Sequence, residues 1–214
     1  MDRDVEIRKN RGATNPQRFD TIVREVFAPI YPVISQQIIA KTGVRSGKCL
    51  DVGCGTGALG RSIAKHSDLH VTYFDQSVEM MQLAMDYAKE ENLIRRSDFL
   101  VGDIHDLKLQ DNSIDLVISR GSSPFWVDWS RAYSEILRVL KIGGKAYIGG
   151  GFGTAQLRDE IVATMHARNP EWRKSFQEKL KPEREALPSI MQRLNPSAFE
   201  IIDDDSGFWI HIIK

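Results

Sequence analysis

Residues 49–60 read CLDVGCGTGALG, with one carboxylate, two cysteines and four glycines in twelve positions. A backbone this bare lets a ligand lie against main-chain amides, and a helix starting just after it favours negative charge there. Two patterns overlap in the stretch. Gly55, Gly57 and Gly60 spell the G-x-G-x-x-G of a dinucleotide loop, which serves hydride transfer. Asp51, Gly53, Gly55 and Gly57 spell D-x-G-x-G-x-G, which implies a different cofactor and different chemistry. Asp75, closing the apolar run HVTYFD, suits a ribose diol in either reading, because a carboxylate accepts through two oxygens. His105 and His166 are the histidines placed to act as general bases at a cleft edge, or else ordinary surface and packing residues. Cys49 and Cys54 are too few for a metal site, so two small buried thiols are expected and no metal.

These residues need a scaffold, and the hydrophobic spacing supplies one. Phe19, Ile22, Val23, Val26, Phe27, Ile30, Tyr31, Ile34 and Ile38 recur at helical spacing. Pro29 and Pro32 interrupt that stripe, which predicts two short helices with a kink between them. Beyond Gly43 and Gly47, strand and helix signals alternate. Strands are expected at 48–53, 70–75, 98–102, 113–119 and 145–149, and helices at 58–66, 78–91 and 130–140. Such alternation predicts a parallel sheet with helices on both faces. The tail differs: 199–202 and 208–212 read as strands joined only by DDDSG, too short for a crossover, so they must form an antiparallel hairpin. The fold class is therefore α/β and Rossmann-like, with a reversed strand at its end. A single domain spanning 1–214 is expected, with residues 1–47 as a helical cap and 154–198 as a helical insertion. That insertion carries the charged stretch HARNPEWRKSFQEKLKPERE, a solvated face or part of a lid, with Trp172 as its anchor.

A chain of 214 residues with 42% hydrophobic and 27% charged content suits one soluble domain with a sizeable core. Formal net charge is zero, so no global field draws the chain to nucleic acid or to an anionic membrane. The start, MDRDVEIRKNRG, lacks the apolar core of a signal peptide, and no run is long enough to span a bilayer. A cytoplasmic location is the expectation; oligomeric state is left open.

Four features decide between the two cofactors: Asp51 ahead of the glycines, Gly102-Asp103 after the third strand, Lys141-Ile142-Gly143-Gly144 read as the stop of the helix before the fifth strand, and the terminal hairpin. LDVGCGTG, FDQSVEMM, GDIHDL, SIDLVIS and EILRVLKIGGKAYI, in that order, resemble the class I S-adenosylmethionine (SAM)-dependent methyltransferases, most closely over 48–150. The resemblance implies a seven-stranded sheet with the last strand antiparallel, SAM as cofactor and S-adenosylhomocysteine (SAH) as product. It also implies roles. Gly53, Gly55 and Gly57 would line the methionine moiety, with Asp51 setting the loop. Asp75 would hold both ribose hydroxyls, with Gln76 beside it. Met80 would cover the adenine, Asp103 would meet its amino group, and Ile104 would lie against the ring. Ser119 and Arg120 would offer backbone carbonyls to the cofactor's ammonium. Gly60 becomes a packing glycine.

The acceptor should then lie beyond the fourth and fifth strands, where the sequence runs SRGSSPFWVDW and GGGFGTAQL. Phe125, Trp126, Trp129 and Phe152 are the expected pocket walls, at least one of the tryptophans doubling as core. Arg120 either binds an anionic group on the acceptor or pairs with a surface acid. Gly149, Gly150 and Gly151 allow close ligand approach or a hinge, or else tight packing against the N-terminal helix. SSPFW lacks the leading amide that orients a planar nitrogen in amino-group methyltransferases, which favours a small-molecule acceptor over nucleic acid or protein. Two other readings remain. An NAD(P)-dependent oxidoreductase would need a proton-relay set such as Tyr-x-x-x-Lys, and none follows the fourth strand. A non-catalytic SAM-binding module would carry the same cofactor residues.

Overall fold

A computed structural model describes residues 15–170, 172 and 174–214. Residues 1–14 of the expected cap, and 171 and 173 of the expected insertion, lie outside the described residues.

The chain opens with α1 (Pro16–Ile22), capped by the Asn15 side chain, which accepts from the Arg18 amide. A π-helical turn at Val23–Phe27 follows, and then α2 (Ile30–Thr42). Pro29 precedes the first residue of α2 and Pro32 falls in its first turn, where amides have no intrahelical partner, so neither proline costs a hydrogen bond. The expected kink is thus built as a π turn, a local widening that re-aims one side of a helix. Gly43, with φ 69°, ends α2.

Alternation then proceeds as β1 (Ser46–Val52), α3 (Ala58–Lys65), β2 (Asp68–Asp75), α4 (Val78–Glu90), β3 (Ser97–Val101), β4 (Ile114–Arg120), α5 (Trp129–Val139) and β5 (Leu140–Gly151). Two helices, α6 (Ala155–Arg168) and α7 (Lys174–Leu194), lead to the hairpin of β6 (Ala198–Asp204) and β7 (Gly207–Ile213). The seven strands lie in the order β3-β2-β1-β4-β5-β7-β6. β7 runs antiparallel to both of its neighbours, while the other pairings are parallel. The reversed strand therefore sits inside the sheet, and β6 forms the edge.

Side chains alternate across the strands and build two cores. Cys49, Leu116, Ile118, Tyr147 and Trp209 face one core with α2, α3 and α4. Leu50, Val117, Ala146, Ile148 and Ile210 face the other with α5 and α7, through residues such as Ile136, Leu187 and Met191. The reading of Gly143 and Gly144 as a helix stop is corrected here. The helix ends at Val139, and both glycines lie within β5, where Ile114 pairs with Leu140 but Leu116 pairs with Lys145. The extra residues form a bulge, closed by the Gly143 amide donating to the Lys214 carbonyl at 2.9 Å. A motif that reads as a helix terminus is a turn that lets the strand start early.

Glycines 149 and 151 line the cavity, as close ligand approach requires, and they also have a packing role different from the expected one against the N-terminal helix. A Cβ on Gly149 would run into the β7 backbone at Phe208, and one on Gly151 into Ser206 and Gly207 at the start of β7, so both permit a close strand pairing. Gly153 is the glycine that packs against α2, at Val33 and Ile34. No helix among the described residues is long and apolar enough to cross a membrane.

Candidate functional site

The glycine loop is fastened to the end of β2. The Gly53 and Cys54 amides both donate to the Phe74 carbonyl, at 2.7 and 3.1 Å. The Gly55 amide donates to Asp75 Oδ2 at 2.9 Å, and the Ser77 amide donates to Asp75 Oδ1 at 3.0 Å. One carboxylate thus braces two loops, and each oxygen keeps capacity for a further donor. Gly53, Gly55 and Gly57 all have positive φ. A side chain at Gly53 would meet Ser122, and one at Gly55 would meet the Phe19 ring at 2.9 Å, so the cradle exists only because both positions are bare.

Asp51 sits behind this cradle and is 1% exposed. Its Oδ2 accepts from the Gly60 amide at 2.9 Å. Burial pushes its carboxyl up to about 7, against the opposing pull of that amide. A Cβ on Gly60 would lie 2.6 Å from the Tyr73 ring and 2.8 Å from Asp51 Oδ2, so this glycine is filled by packing, not by a ligand. The G-x-G-x-x-G match therefore forms no continuous cradle. Arg61 ties the back of the loop together: it donates to the Thr56 carbonyl and to Glu91 Oε2, and lies over the Tyr87 ring. Cys49 and Cys54 are free thiols whose pKa values burial raises.

A cavity of about 930 Å³ opens over the carboxyl ends of β1, β2, β4 and β5. Gly53, Gly55, Asp75, Gln76 and Met80 line it, as do Asp103, Ile104 and Arg120. Asp51, Gly57 and Ser119 do not. Gly57 starts α3, where its Cβ would press on Tyr73 and Ala84. Ser119 is buried, its hydroxyl 2.6 Å from that of Ser122, which in turn donates to the Val52 carbonyl. These three shape the cavity from behind its wall. Asp103 caps the short turn at Ile104–Asp106, accepting from the His105 amide at 2.9 Å.

The far half of the cavity is aromatic. Phe125, Trp126, Trp129 and Phe152 line it as expected. Trp126 and Trp129 are also core residues, forming edge-on contacts with each other and with Tyr133, and the Trp129 indole donates to the Ser123 carbonyl. Among the described residues no acid pairs with Arg120. Its Nε donates to the Gly151 carbonyl at 2.9 Å, and its guanidinium lies among the rings of Phe27, Tyr31 and Phe152.

The two histidines are placed differently from each other. His105 lines the rim, but its Nε2 accepts from the Asp128 amide at 3.1 Å and its Nδ1 lies 2.5 Å from Asp103 Oδ1. Both ring nitrogens are engaged, with Nδ1 as the donor. His166 stays out of the lining and rests edge-on against Trp172, its Nε2 3.2 Å from the Trp172 carbonyl.

Several wall residues escaped the sequence. Phe19 and Phe27 of the N-terminal helices, Trp172 and Arg184 of the 154–198 segment, and Phe208 of β7 all line the cavity. Trp172 stands 6.4 Å from Phe27, and Arg184 lies 4.1 Å over Phe208. Phe19 and Phe27 sat on a recognised apolar stripe; a stripe spacing cannot tell a core ring from a cavity ring. Ser122, beside Gly53, carried no sequence signal at all.

Comparison with known proteins gives one direction. Residues 50–148 match the family model described as a methyltransferase domain. A provisionally assigned S-adenosyl-L-methionine-dependent methyltransferase of Methanococcus maripaludis is 41% identical in its crystal structure and superposes with a TM-score of 0.89, over 93% of this chain and 91% of that one. A sterol 24-C-methyltransferase of Aspergillus fumigatus is 35% identical over 120 residues, 54% of this chain and 32% of that protein. A chloroplastic 2-methyl-6-phytyl-1,4-hydroquinone methyltransferase of Spinacia oleracea is 40% identical over 102 residues, 47% of this chain and 28% of its own length. The chain thus spans about a third of the length of the curated relatives it matches.

Proposed function

The chain belongs to the class I SAM-dependent methyltransferases, and from that premise we propose that it moves a methyl group from SAM to a small-molecule acceptor held in the aromatic half of the cavity. One observation carries this reading. Asp75 stands at the floor of a bare glycine cradle with both oxygens oriented by backbone amides, and an aromatic pocket begins directly beyond the cradle.

When bound, SAM supplies a methyl carbon on a sulfonium, open to direct in-line displacement. Everything else falls to the chain. Gly53 and Gly55 admit the amino-acid end to within reach of the loop amides. Asp75 takes the ribose diol, with Gln76 beside it. Met80 and Ile104 enclose the purine, and Asp103 accepts from its amino group. Asp51, Gly57 and Ser119 hold this cradle in shape without touching the ligand. Phe125, Trp126, Trp129 and Phe152 hold the acceptor, exclude water and tolerate the dispersing positive charge of the reaction. His105, with both nitrogens committed, fixes the rim and leaves the acceptor to arrive with a nucleophile that needs little help from a base. The N-terminal helices and residues 154–198 serve as the roof, since each contributes aromatic rings to the wall.

The test is thermal unfolding with SAM, SAH and NAD, because a ligand that binds only the folded chain raises the midpoint. SAM and SAH are expected to raise it and NAD to leave it unchanged. A response to NAD with none to SAM overturns the reading. Turnover of labelled SAM against a metabolite extract then separates an enzyme from a binding module.

A further inference from the structure

Arg120 brings a positive charge to the cavity wall. Among the described residues no carboxylate pairs with it, and the groups acting on it are the Tyr31 hydroxyl and the Gly151 carbonyl. The remaining contacts are aromatic faces: Phe27 at 5.2 Å, Tyr31 at 5.6 Å and Phe152 at 5.8 Å from the guanidinium carbon. Ring faces offset only part of the cost of taking a guanidinium out of water, and a charge in such a place is ordinarily paired.

The donor count sharpens the point. A guanidinium presents five N–H groups in a planar fork, of which the Nε–H goes to the Gly151 carbonyl. The terminal groups left over match the two oxygens of a planar oxyanion. The rings fix the guanidinium in place, so little side-chain freedom is lost on binding.

Position narrows the ligand. Arg120 ends β4, which lies between β1, the root of the glycine cradle, and β5, whose Gly149 pairs with Arg120 itself. It therefore stands at the waist between the cofactor half and the acceptor half. We propose that Arg120 is the carboxylate receptor of this cavity, boxed by Phe27, Tyr31 and Phe152 so that a ligand supplies its counter-charge. The carboxylate comes either from the amino-acid end of SAM or from the acceptor.

The inference rests on the cofactor reading above, and calorimetric titration of the full chain separates the two. SAM, decarboxylated SAM and SAH are titrated into wild type, Arg120→Gln and Arg120→Lys. If the cofactor brings the carboxylate, wild type binds SAM at least tenfold more tightly than decarboxylated SAM. Arg120→Gln erases that preference, and Arg120→Lys, which keeps the charge and guards against loss of fold, retains part of it. If the acceptor brings it, all three proteins bind SAM and decarboxylated SAM alike. The wild-type SAH complex then binds benzoate at least tenfold more tightly than benzamide, and Arg120→Gln abolishes that preference. A wild type with neither preference overturns the proposal, as does a preference that survives in Arg120→Gln. A wild type that binds neither SAM nor SAH overturns the cofactor reading instead, and benzoate against benzamide on the free chain still decides the role of Arg120.

Discussion

Replacing Asp75 by Asn tests the cofactor half at its most constrained atom. In the wild type Oδ2 accepts from the Gly55 amide at 2.9 Å and Oδ1 from the Ser77 amide at 3.0 Å. An amide side chain has one acceptor oxygen, so whichever way Asn turns, its NH₂ faces a backbone N–H. That leaves one donor unsatisfied at a cost of about 1–3 kcal/mol, and the apo protein should lose stability of that order. The same substitution removes one acceptor for a ribose hydroxyl. A hydrogen bond to a charged group contributes about 1.5–3 kcal/mol, so SAH affinity should fall at least about tenfold.

Loop damage and lost ribose contact both weaken binding, and a second ligand separates them. Calorimetric titration of wild type and Asp75→Asn is run with SAH and with an analogue lacking the ribose 2′-hydroxyl. Loss of contact predicts a smaller penalty of the substitution for the deoxy analogue, since that ligand has less to lose. The coupling, measured as the difference between the two penalties, should exceed about 1 kcal/mol for groups in direct contact. Equal penalties for both ligands refute the ribose contact and reduce Asp75 to a brace for the glycine loop.

The buried Asp51 predicts a pH dependence. Its folded carboxyl titrates near 7, against 3.8 when exposed, so between those values the unfolded chain releases a proton that the folded chain keeps. Stability from this group is fully present below the lower value and is lost as pH rises through the upper one, by about 4 kcal/mol in all. Urea unfolding of wild type and Asp51→Asn from pH 4 to 8 should show wild type falling relative to the variant; parallel curves refute the burial argument. The glycines of β5 predict a ranking. Gly151→Ala pushes a methyl into the β7 backbone and should cost about 1–3 kcal/mol, whereas Gly150→Ala, whose nearest neighbour is Gly121 at 3.9 Å, should be near neutral. Equal unfolding midpoints for the two variants refute the close-pairing explanation.

How far the sequence discloses such a protein depends on where the information lies along the chain. Gly53, Gly55 and Asp75 come from one strand–loop–helix–strand unit, and their bonds to one another close within that unit. Local spacing encodes them, and the alternating elements around them were legible for the same reason. The hairpin was legible because DDDSG excludes every other connection. What spacing cannot encode is which surface a residue meets. KIGGK has the composition of a helix stop, and only the β4 register turns it into a bulge. Asp51 is expected to set the loop, and strand alternation turns it to the buried side, where it accepts from the Gly60 amide. His105 reads as a lone histidine, and only the fold brings the Asp128 amide and Asp103 to its nitrogens.

The acceptor half follows the opposite logic. Phe27, Arg120, Trp126, Phe152, Trp172 and Arg184 come from segments scattered between the first helices and α7. No short motif can carry such a site, because each segment contributes only one or two side chains. The cofactor half is built largely from backbone amides and one carboxylate, which fix a ligand whatever lies opposite. The acceptor half is built from side chains on helices and loops outside the sheet's centre, so substitutions there change the pocket without disturbing the cradle. On the proposed reading, this division would let one scaffold keep its methyl donor while its acceptor changes. Among the described wall residues of the aromatic half, the charged groups are the cations Arg120 and Arg184, the latter lying over Phe208. Cations on a partly buried wall attract anions and repel other cations. On the proposed reading, an acceptor bearing negative charge should therefore bind better than an amine that arrives protonated, and competition of the two against the bound acceptor checks it.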